Sequence, residues 1–197
     1  YQYFLVANGI IGPVLLGAAV AAFFNGSNFV VSKGNITQEA MPVISQWANG
    51  WHGLDALLDL WNVVLGLAVL FLSRCLGILY FINNVSDAEL LPRFRRRLLV
   101  EAVCFVAFFV PFVIYVLLKD GFAVDAASGS IVMESYKYFH NLMAMPWVLG
   151  LFLLGVVAVL FGLGRSILCA TYNKGIWFAG VGTVLAVLAL LLTVGYN

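Results

Sequence analysis

Charged side chains inside long apolar runs are the first residues to consider for chemistry. Arg74 lies within LFLSRCLGILYF at 70–81, and Glu101 lies one turn into the apolar run that follows a cluster of arginines. A charge at the centre of a bilayer costs at least about 2.5 kcal/mol and is usually paired. The sequence therefore predicts an ion pair between Arg74 and Glu101. Snorkelling of Arg74 alone to the membrane surface and a direct role in proton transfer remain as alternatives.

A second group of polar residues precedes this run. His52, Asp55 and Asp59 repeat at i, i+3 and i+7, a spacing that puts them on one helical face, where they could bind a metal or carry protons. The opposite face of the stretch at 51–62 is apolar, which is typical of a short amphipathic helix leading into a span. Solvation alone explains polar residues on such a face. The candidates for a structural role or a proton path are Arg74, Glu101, Asp55 and Asp59.

The remaining groups that could bind a metal occur singly. His140 lies in a loop and could in principle bind haem, but no second axial candidate lies inside a span. The three cysteines, at 75, 104 and 169, lack the paired spacing of thiolate metal sites, so packing roles are predicted for them. No nucleotide-binding loop, nucleophile elbow or HExxH pattern is present. The sequence thus predicts no catalytic, cofactor-binding or metal-binding residue in this chain.

The elements that must position these residues follow from hydropathy. Apolar residues make up 63% of the 197 residues and charged ones only 10%, and the mean hydropathy is +1.03, all typical of an integral membrane protein. Several runs exceed the roughly 18 residues of a spanning helix, and they are too long for barrel strands. The predicted fold is all-α, a polytopic transmembrane helical bundle forming a single membrane-embedded domain over 1–197. The five predicted spans are about 3–24, 58–83, 97–118, 146–167 and 175–196.

Basic residues are distributed unequally between the loops. The second-to-third and fourth-to-fifth loops contain six of them, namely Arg93, Arg95, Arg96, Arg97, Arg165 and Lys174. The positive-inside rule predicts that these two loops are cytoplasmic and that the long loops at about 25–57 and 119–145 lie outside. A net charge of only +1, with the basic cluster beside a span, argues against nucleic acid as a partner. Because the chain opens with Tyr1, we expect it to be a piece of a longer protein.

Small residues and prolines interrupt two of the predicted spans. Gly9, Pro13, Gly17 and Ala21 recur every fourth residue in the first span, which predicts close approach by another helix. Such interrupted helices, together with the charge at Arg74, are also what a fragment of a secondary transporter would offer. Few polar residues occur at mid-depth, however. A transported substrate would therefore have little to bind.

Three stretches carry a resemblance to a known family. NGIIGPVLLGAAVAAFFNGSNF at 8–29, GLDALLDLWNVVLGLAVLFLSR at 53–74 and RFRRR at 93–97 resemble subunit II of bacterial cytochrome bd ubiquinol oxidase, most of all its Bacteroides-like form. The resemblance covers essentially all 197 residues. It rests on the order of the spans and on local sequence similarity rather than on a signature motif. It implies a fragment without the N-terminal spans and the C-terminal tail of the family protein.

The resemblance also implies a function. The parent complex would oxidise quinol on the outer side of the bacterial inner membrane and reduce dioxygen to water with cytoplasmic protons. Subunit I would hold haem b, haem d and the quinol site, and this chain would be its non-haem partner, in contact with membrane lipid and quinone. The acidic residues that the family is proposed to use for protons lie in spans outside this sequence. The four candidate residues named above therefore depend on physical reasoning alone.

Overall fold

The computed structural model describes residues 2–31, 45–124 and 130–196. These residues form a helical protein, and five helices are long and apolar enough to cross a membrane. The predicted all-α class and the five spans are therefore confirmed. The helices are α1 (Gln2–Asn25), α2 (Leu60–Asn84), α3 (Leu90–Leu118), α4 (Lys137–Ala144), α5 (Pro146–Leu168) and α6 (Gly175–Gly195).

Helix α3 begins seven residues before the predicted start at 97. Arginine is a good helix former, and Pro92 is tolerated because it falls in the first turn, where backbone N–H groups have no partner within the helix. The Asp87 carboxylate accepts hydrogen bonds from the backbone N–H groups of Glu89 (2.7 Å) and Leu90 (3.1 Å) and so caps this end. The prediction of a loop at 93–97 was wrong, because those residues lie on α3.

Two short antiparallel hairpins occur in the predicted loops. Strand β1 (Phe29–Val31) pairs with β2 (Ser45–Trp47), with Phe29 opposite Trp47. Strand β3 (Gly121–Val124) pairs with β4 (Ile131–Glu134), with Gly121 opposite Glu134. Neither hairpin was predicted, and neither was α4. They fold the segments between helices without changing the helical class.

The chain divides into two compact units, Tyr1–Leu67 and Ala68–Asn197; the single domain over 1–197 stays a prediction. In the first unit, α1 contacts the beginning of α2 at two glycines. A Cβ added to Gly17 would lie 2.7 Å from Gly66 Cα, and one added to Gly66 would lie 2.7 Å from Val14 O. Ala21 is also buried, whereas a Cβ on Gly9 would meet nothing within 4 Å. Among the described residues, the small-residue stripe of α1 is thus used for packing in its second half.

In the second unit, α5 and α6 form a hairpin whose contact is lined by small residues. A Cβ added to Gly155 would lie 2.6 Å from Ala186 N, and one added to Gly182 would lie 2.6 Å from Gly155 O. The spacing on α6 alternates between four and three residues, the repeat of helices that wind around each other. Small residues allow backbones to approach closely in a bilayer. The buried residues of α6, here called the α5–α6 seam, are Gly175, Ala179, Gly182, Ala186, Ala189 and Thr193.

Stacked aromatic rings fix how α2 and α3 pack. Phe71 stacks on Phe108 and Phe81 on Phe94, each with ring centroids 5.7 Å apart. The helices are therefore antiparallel, and the positions between these two stacks face each other. Arg74 and Glu101 lie between them.

Candidate functional site

The buried carboxylate of Glu101 is the centre of the main polar site. Its Oε1 atom lies 2.8 Å from Arg74 Nη2 and 2.7 Å from Arg97 Nε. The side chain of Glu101 is only 1% exposed, whereas those of Arg74 and Arg97 are 41% and 58% exposed. The predicted ion pair between Arg74 and Glu101 is therefore present, and it joins α2 to α3.

Arg97 is a member of this site that the sequence reasoning missed. Once α3 is known to begin at Leu90, Arg97 and Glu101 become an i, i+4 pair on one helix face. We call Arg74, Arg97 and Glu101 the Glu101 cluster. The second carboxylate oxygen, Oε2, is also buried, and no described residue donates a hydrogen bond to it.

Arg95 forms a second buried site at the start of α3. Its side chain was predicted to lie in an exposed cytoplasmic loop, but the residue is only 8% exposed. The guanidinium donates to oxygens at the end of α5 and in the turn that follows, and these carbonyls lack helical partners and carry partial negative charge. The acceptors are the carbonyls of Ser166, Cys169, Ala170 and Tyr172 and the side chain of Asn173. Arg95 therefore holds the α5–α6 turn against α3.

Periodicity could have distinguished Arg95 from its neighbours. The buried stripe of α3 includes Leu98, Ala102 and Phe105, which lie three, seven and ten residues after Arg95. Extending that stripe back by one turn puts Arg95 on the inner face, while Arg96 is exposed. The missing information was where the helix begins.

Asp59 lies at the beginning of α2. Its Oδ1 atom accepts hydrogen bonds from the backbone N–H groups of Trp61 (2.9 Å) and Asn62 (3.0 Å), and from Asn25 Nδ2 at 3.2 Å. These are the contacts of a helix N-cap. Asn25 Nδ2 also donates to the buried Asn62 at 2.7 Å. Asp59 thus satisfies the helix end and links it to the end of α1.

Asp55 fastens the loop segments near it. Its Oδ2 atom accepts from the side-chain amides of Asn28 (2.5 Å) and Asn49 (3.0 Å). The hydrogen bond from Asn28 lowers the pKa of the partly exposed Asp55 below its ordinary value, and the bond from Asn49 has a smaller effect in the same direction. The cluster of amides and carboxylates on these residues is a polar surface at the end of α1.

The predicted amphipathic helix at 51–62 is only partly present. Backbone angles are left-handed at His52 (φ 48°) and Gly53 (φ 93°), and a 3-10 helix covers Leu54–Leu58. A common face for His52, Asp55 and Asp59 requires a continuous α-helix. His52 precedes the helical turns. The prediction that His52 shares a helix face with Asp55 and Asp59 was therefore wrong.

His140 is the exposed member of a triad on α4 and β4, whose lysine is largely buried. Its Nδ1 atom lies 2.7 Å from Glu134 Oε1, and Lys137 Nζ lies 3.3 Å from Glu134 Oε2. The hydrogen bond from His140 lowers the pKa of Glu134 most, and the bond from Lys137 lowers it by a smaller amount. Among the residues that the structure describes, no three His, Cys, Asp or Glu side chains come together as a metal site.

Two comparisons with known proteins bear on the identity of this chain. No curated protein matches it. A family model described as cytochrome bd terminal oxidase subunit II matches residues 1–197. The match covers every span-length helix, the Glu101 cluster and the Arg95 site. The chain therefore belongs to the cytochrome bd terminal oxidase subunit II family.

Proposed function

We propose that this chain is the non-haem subunit II of a membrane quinol:oxygen oxidoreductase, and that it supports assembly and proton-coupled reduction of dioxygen by subunit I. Family membership makes it a multi-pass subunit of a terminal oxidase, and it implies haem in the complex and a partner subunit I. The observation that carries the proposal is the family match over 1–197. Quinone and membrane lipid are the further proposed partners.

The histidines of this chain are poorly suited to hold haem. His140 shares a hydrogen bond with Glu134 on an exposed surface, and His52 lies in an exposed turn. Neither lies on one of the five span-length helices, where haem ligands would have to face the interior of a bundle. This supports the assignment of haem b and haem d to subunit I.

We propose structural roles for the four candidate residues. Arg74 and Glu101 tie α2 to α3, Asp59 caps α2, and Asp55 fastens the nearby loop segments. A place on the proton path is the second candidate role, and it is best supported for Glu101, because Oε2 is buried and accepts no hydrogen bond from described residues. A proton relay needs such an oxygen to receive the proton.

A secondary transporter is poorly supported by the geometry of α6. Thr183 and Thr193 are polar residues within α6, and their hydroxyls donate to Ala179 O at 2.7 Å and Ala189 O at 2.8 Å, within the same helix. Those hydroxyl protons therefore already have acceptors. A substrate would find few other groups along this helix.

We also propose a bacterial inner-membrane location with the α2–α3 and α5–α6 turns in the cytoplasm. A cysteine in place of Arg96, which is exposed, tests this orientation without disturbing the buried Arg95. A membrane-impermeant maleimide should label it in inverted vesicles and not in intact spheroplasts. Labelling in spheroplasts alone would reverse the proposed orientation.

The oxidase proposal is tested by a reduced-minus-oxidised visible spectrum of the complex, purified from native membranes through a tag on this chain. Bands of b-type and d-type haem, accompanied by a second subunit, would support the proposal. A colourless complex of intact size would contradict it. Separation of the two subunits then shows which polypeptide retains haem.

A further inference from the structure

The Glu101 cluster contains more positive than negative charge. One carboxylate, on Glu101, faces two guanidinium groups, and both contact the same oxygen, Oε1. With all three groups ionised the cluster carries a formal charge of +1. An uncompensated charge is costly near a bilayer interior unless an anion or water meets it.

Most hydrogen-bond donors of the two arginines remain available for such an anion. A guanidinium has five N–H donors. Arg74 uses Nη2 and Arg97 uses Nε toward Glu101, and no other acceptor for either side chain occurs among the described residues. Both side chains are substantially exposed on the α2–α3 pair, whereas the carboxylate is buried. The remaining N–H donors are therefore accessible to a ligand at the surface of the α2–α3 pair.

The position of the cluster along α3 matches the edge of the hydrocarbon layer. Residues 98–118 are apolar apart from Glu101 and Tyr115, and at 1.5 Å per residue they extend about 31 Å, close to the roughly 30 Å thickness of the layer. Arg97 then lies at its boundary, and Glu101 lies about 6 Å inside it. Arg93, one turn further out on the same face, is exposed. By this count along α3, the depth is one that long snorkelling side chains can bridge to lipid phosphates. Along α2, Arg74 lies eight residues, about 12 Å, before the apolar run ends at Ile82, so Arg97 lies nearer the phosphates than Arg74 does.

We propose that Arg74 and Arg97 bind the phosphate of an acidic phospholipid in the leaflet on the side of the α2–α3 turn. Guanidinium groups bind phosphate through paired hydrogen bonds. A phosphodiester with one negative charge neutralises the cluster. A zwitterionic lipid brings its own cation and leaves that charge uncompensated, so the site prefers the acidic lipid. The proposal depends on the cluster and its depth, and not on oxidase activity.

The test uses the intact complex with subunit I, purified in a maltoside detergent and stripped of lipid. Native mass spectrometry and thermal unfolding are recorded with phosphatidylglycerol, with phosphatidylcholine of the same acyl chains, and with inorganic phosphate alone. The wild-type complex should bind phosphatidylglycerol about tenfold more tightly than phosphatidylcholine, because both phosphates accept the same hydrogen bonds but only the acidic lipid neutralises the net charge of the cluster. Inorganic phosphate should raise the unfolding temperature little.

Arg97→Gln is the diagnostic variant, because it leaves Arg74 and Glu101 as a neutral pair. It should lose the preference for the acidic lipid. Arg165→Gln is the matched control: Arg165 is an exposed arginine over the Tyr172 ring, and this change should leave the preference intact. If Arg97→Gln fails to assemble, the wild-type lipid comparison decides alone.

Several results would overturn the proposal. These are equal binding of the two lipids by the wild-type complex, an unchanged preference in Arg97→Gln, an effect of inorganic phosphate as large as that of the acidic lipid, and a cross-link from position 97 to an acidic residue of subunit I. The haem spectrum of the same samples is read separately. A colourless complex that prefers the acidic lipid would contradict the oxidase proposal and leave the lipid site supported.

Discussion

Arg74 Nη2 lies 2.8 Å from Glu101 Oε1, so a charge in one membrane-spanning helix is neutralised from the next helix. Two aromatic stacks, Phe71 on Phe108 and Phe81 on Phe94, hold the helices in register on either side of the pair. The ion pair therefore lies between two aromatic contacts of the same two helices. Glu101 and Arg74 should contribute unequally to stability, because Glu101 also binds Arg97.

Replacing the carboxylate should cost more than replacing one arginine. Glu101→Gln leaves two cations facing each other, and we expect it to destabilise the complex by about 3 kcal/mol, as when one partner of a buried pair is removed. Arg74→Gln leaves the Arg97–Glu101 pair and should cost about 1 kcal/mol, in the range of a single hydrogen bond. Thermal unfolding of the whole complex and its assembled amount measure both effects.

The double variant Arg74→Gln/Glu101→Gln should be no worse than Glu101→Gln alone. Glu89→Gln, at an exposed carboxylate before α3, is the matched control and should have little effect. Strictly additive losses in the double variant would show that the two side chains do not stabilise the complex as a pair.

The contact between α5 and the α5–α6 seam should not tolerate even one added methyl group. Gly155→Ala and Gly182→Ala each place a Cβ 2.6 Å from backbone of the facing helix, and overpacking of this kind costs about 1–3 kcal/mol. Gly180→Ala, on the same helix with nothing within 4 Å, should be neutral or slightly stabilising, because alanine favours a helix. The melting temperatures of the three variants test this prediction. An equal effect of all three would show that Gly155 and Gly182 are not in close contact.

Arg95 should be sensitive to loss of its fork-shaped donor group. Arg95→Gln removes most of the hydrogen bonds to the α5–α6 turn and should cost about 2–4 kcal/mol, since several acceptors lose a charged donor. Arg95→Lys keeps the positive charge and should restore part of the lost stability. The rescue should be incomplete, because an ammonium cannot reach all of the acceptors that the guanidinium bridges. Arg96→Gln is the exposed control. Limited proteolysis at 169–174 should increase in Arg95→Gln, and unchanged proteolysis would contradict the role.

Asp59 can be tested as a helix cap and as a proton carrier at once. Asp59→Asn retains an oxygen that accepts from the N–H groups of Trp61 and Asn62, so stability should be preserved, whereas Asp59→Ala should lose about 1 kcal/mol. Asparagine cannot carry a proton. Full oxygen reduction in Asp59→Asn therefore indicates a cap alone, and a large loss of turnover with normal stability would put Asp59 on the proton path. Asp120→Ala, at an exposed aspartate, is the control.

The triad of Glu134, Lys137 and His140 should weaken in acid. The pKa of Glu134 is lowered from its ordinary 4.5 in the folded protein, so the stabilisation is present above about that pH and is lost as the pH falls through the lowered folded value. Hydrogen-exchange protection around β4 and α4, corrected for intrinsic exchange rates, should fall only in that range. Glu134→Gln should remove this pH dependence, and a fall beginning near pH 7 would contradict it.

Hydropathy was sufficient to predict the number and order of the spans, because each run contains about twenty residues of consistent signal. It failed at the start of α3, where arginines end the apolar run but continue the helix. The ion pair of Arg74 with Glu101 could be predicted from the cost of buried charge. Its third member, Arg97, could not be found until the helix began at the correct residue.

Other features left signals of different strength in the sequence. An aspartate directly before an apolar run, as at Asp59, is the usual start of a helix, although it was interpreted as part of a solvated face. The alternating spacing of Gly and Ala in α6 was also readable. The hairpins were not, because strands of three or four residues are too short to show a period. Which of several adjacent arginines is buried depends on contacts with residues far along the chain.

The Arg95 site cannot form until a later part of the chain has been synthesised. Its acceptors lie 71 to 78 residues further along the chain, so a ribosome adding about 5–20 residues per second supplies them roughly 4–16 s after the arginine itself. Helices form in microseconds or less, so translation sets the earliest time at which this contact can form. Slow codons between these positions would prolong the interval during which Arg95 on α3 lacks its acceptors in the α5–α6 turn.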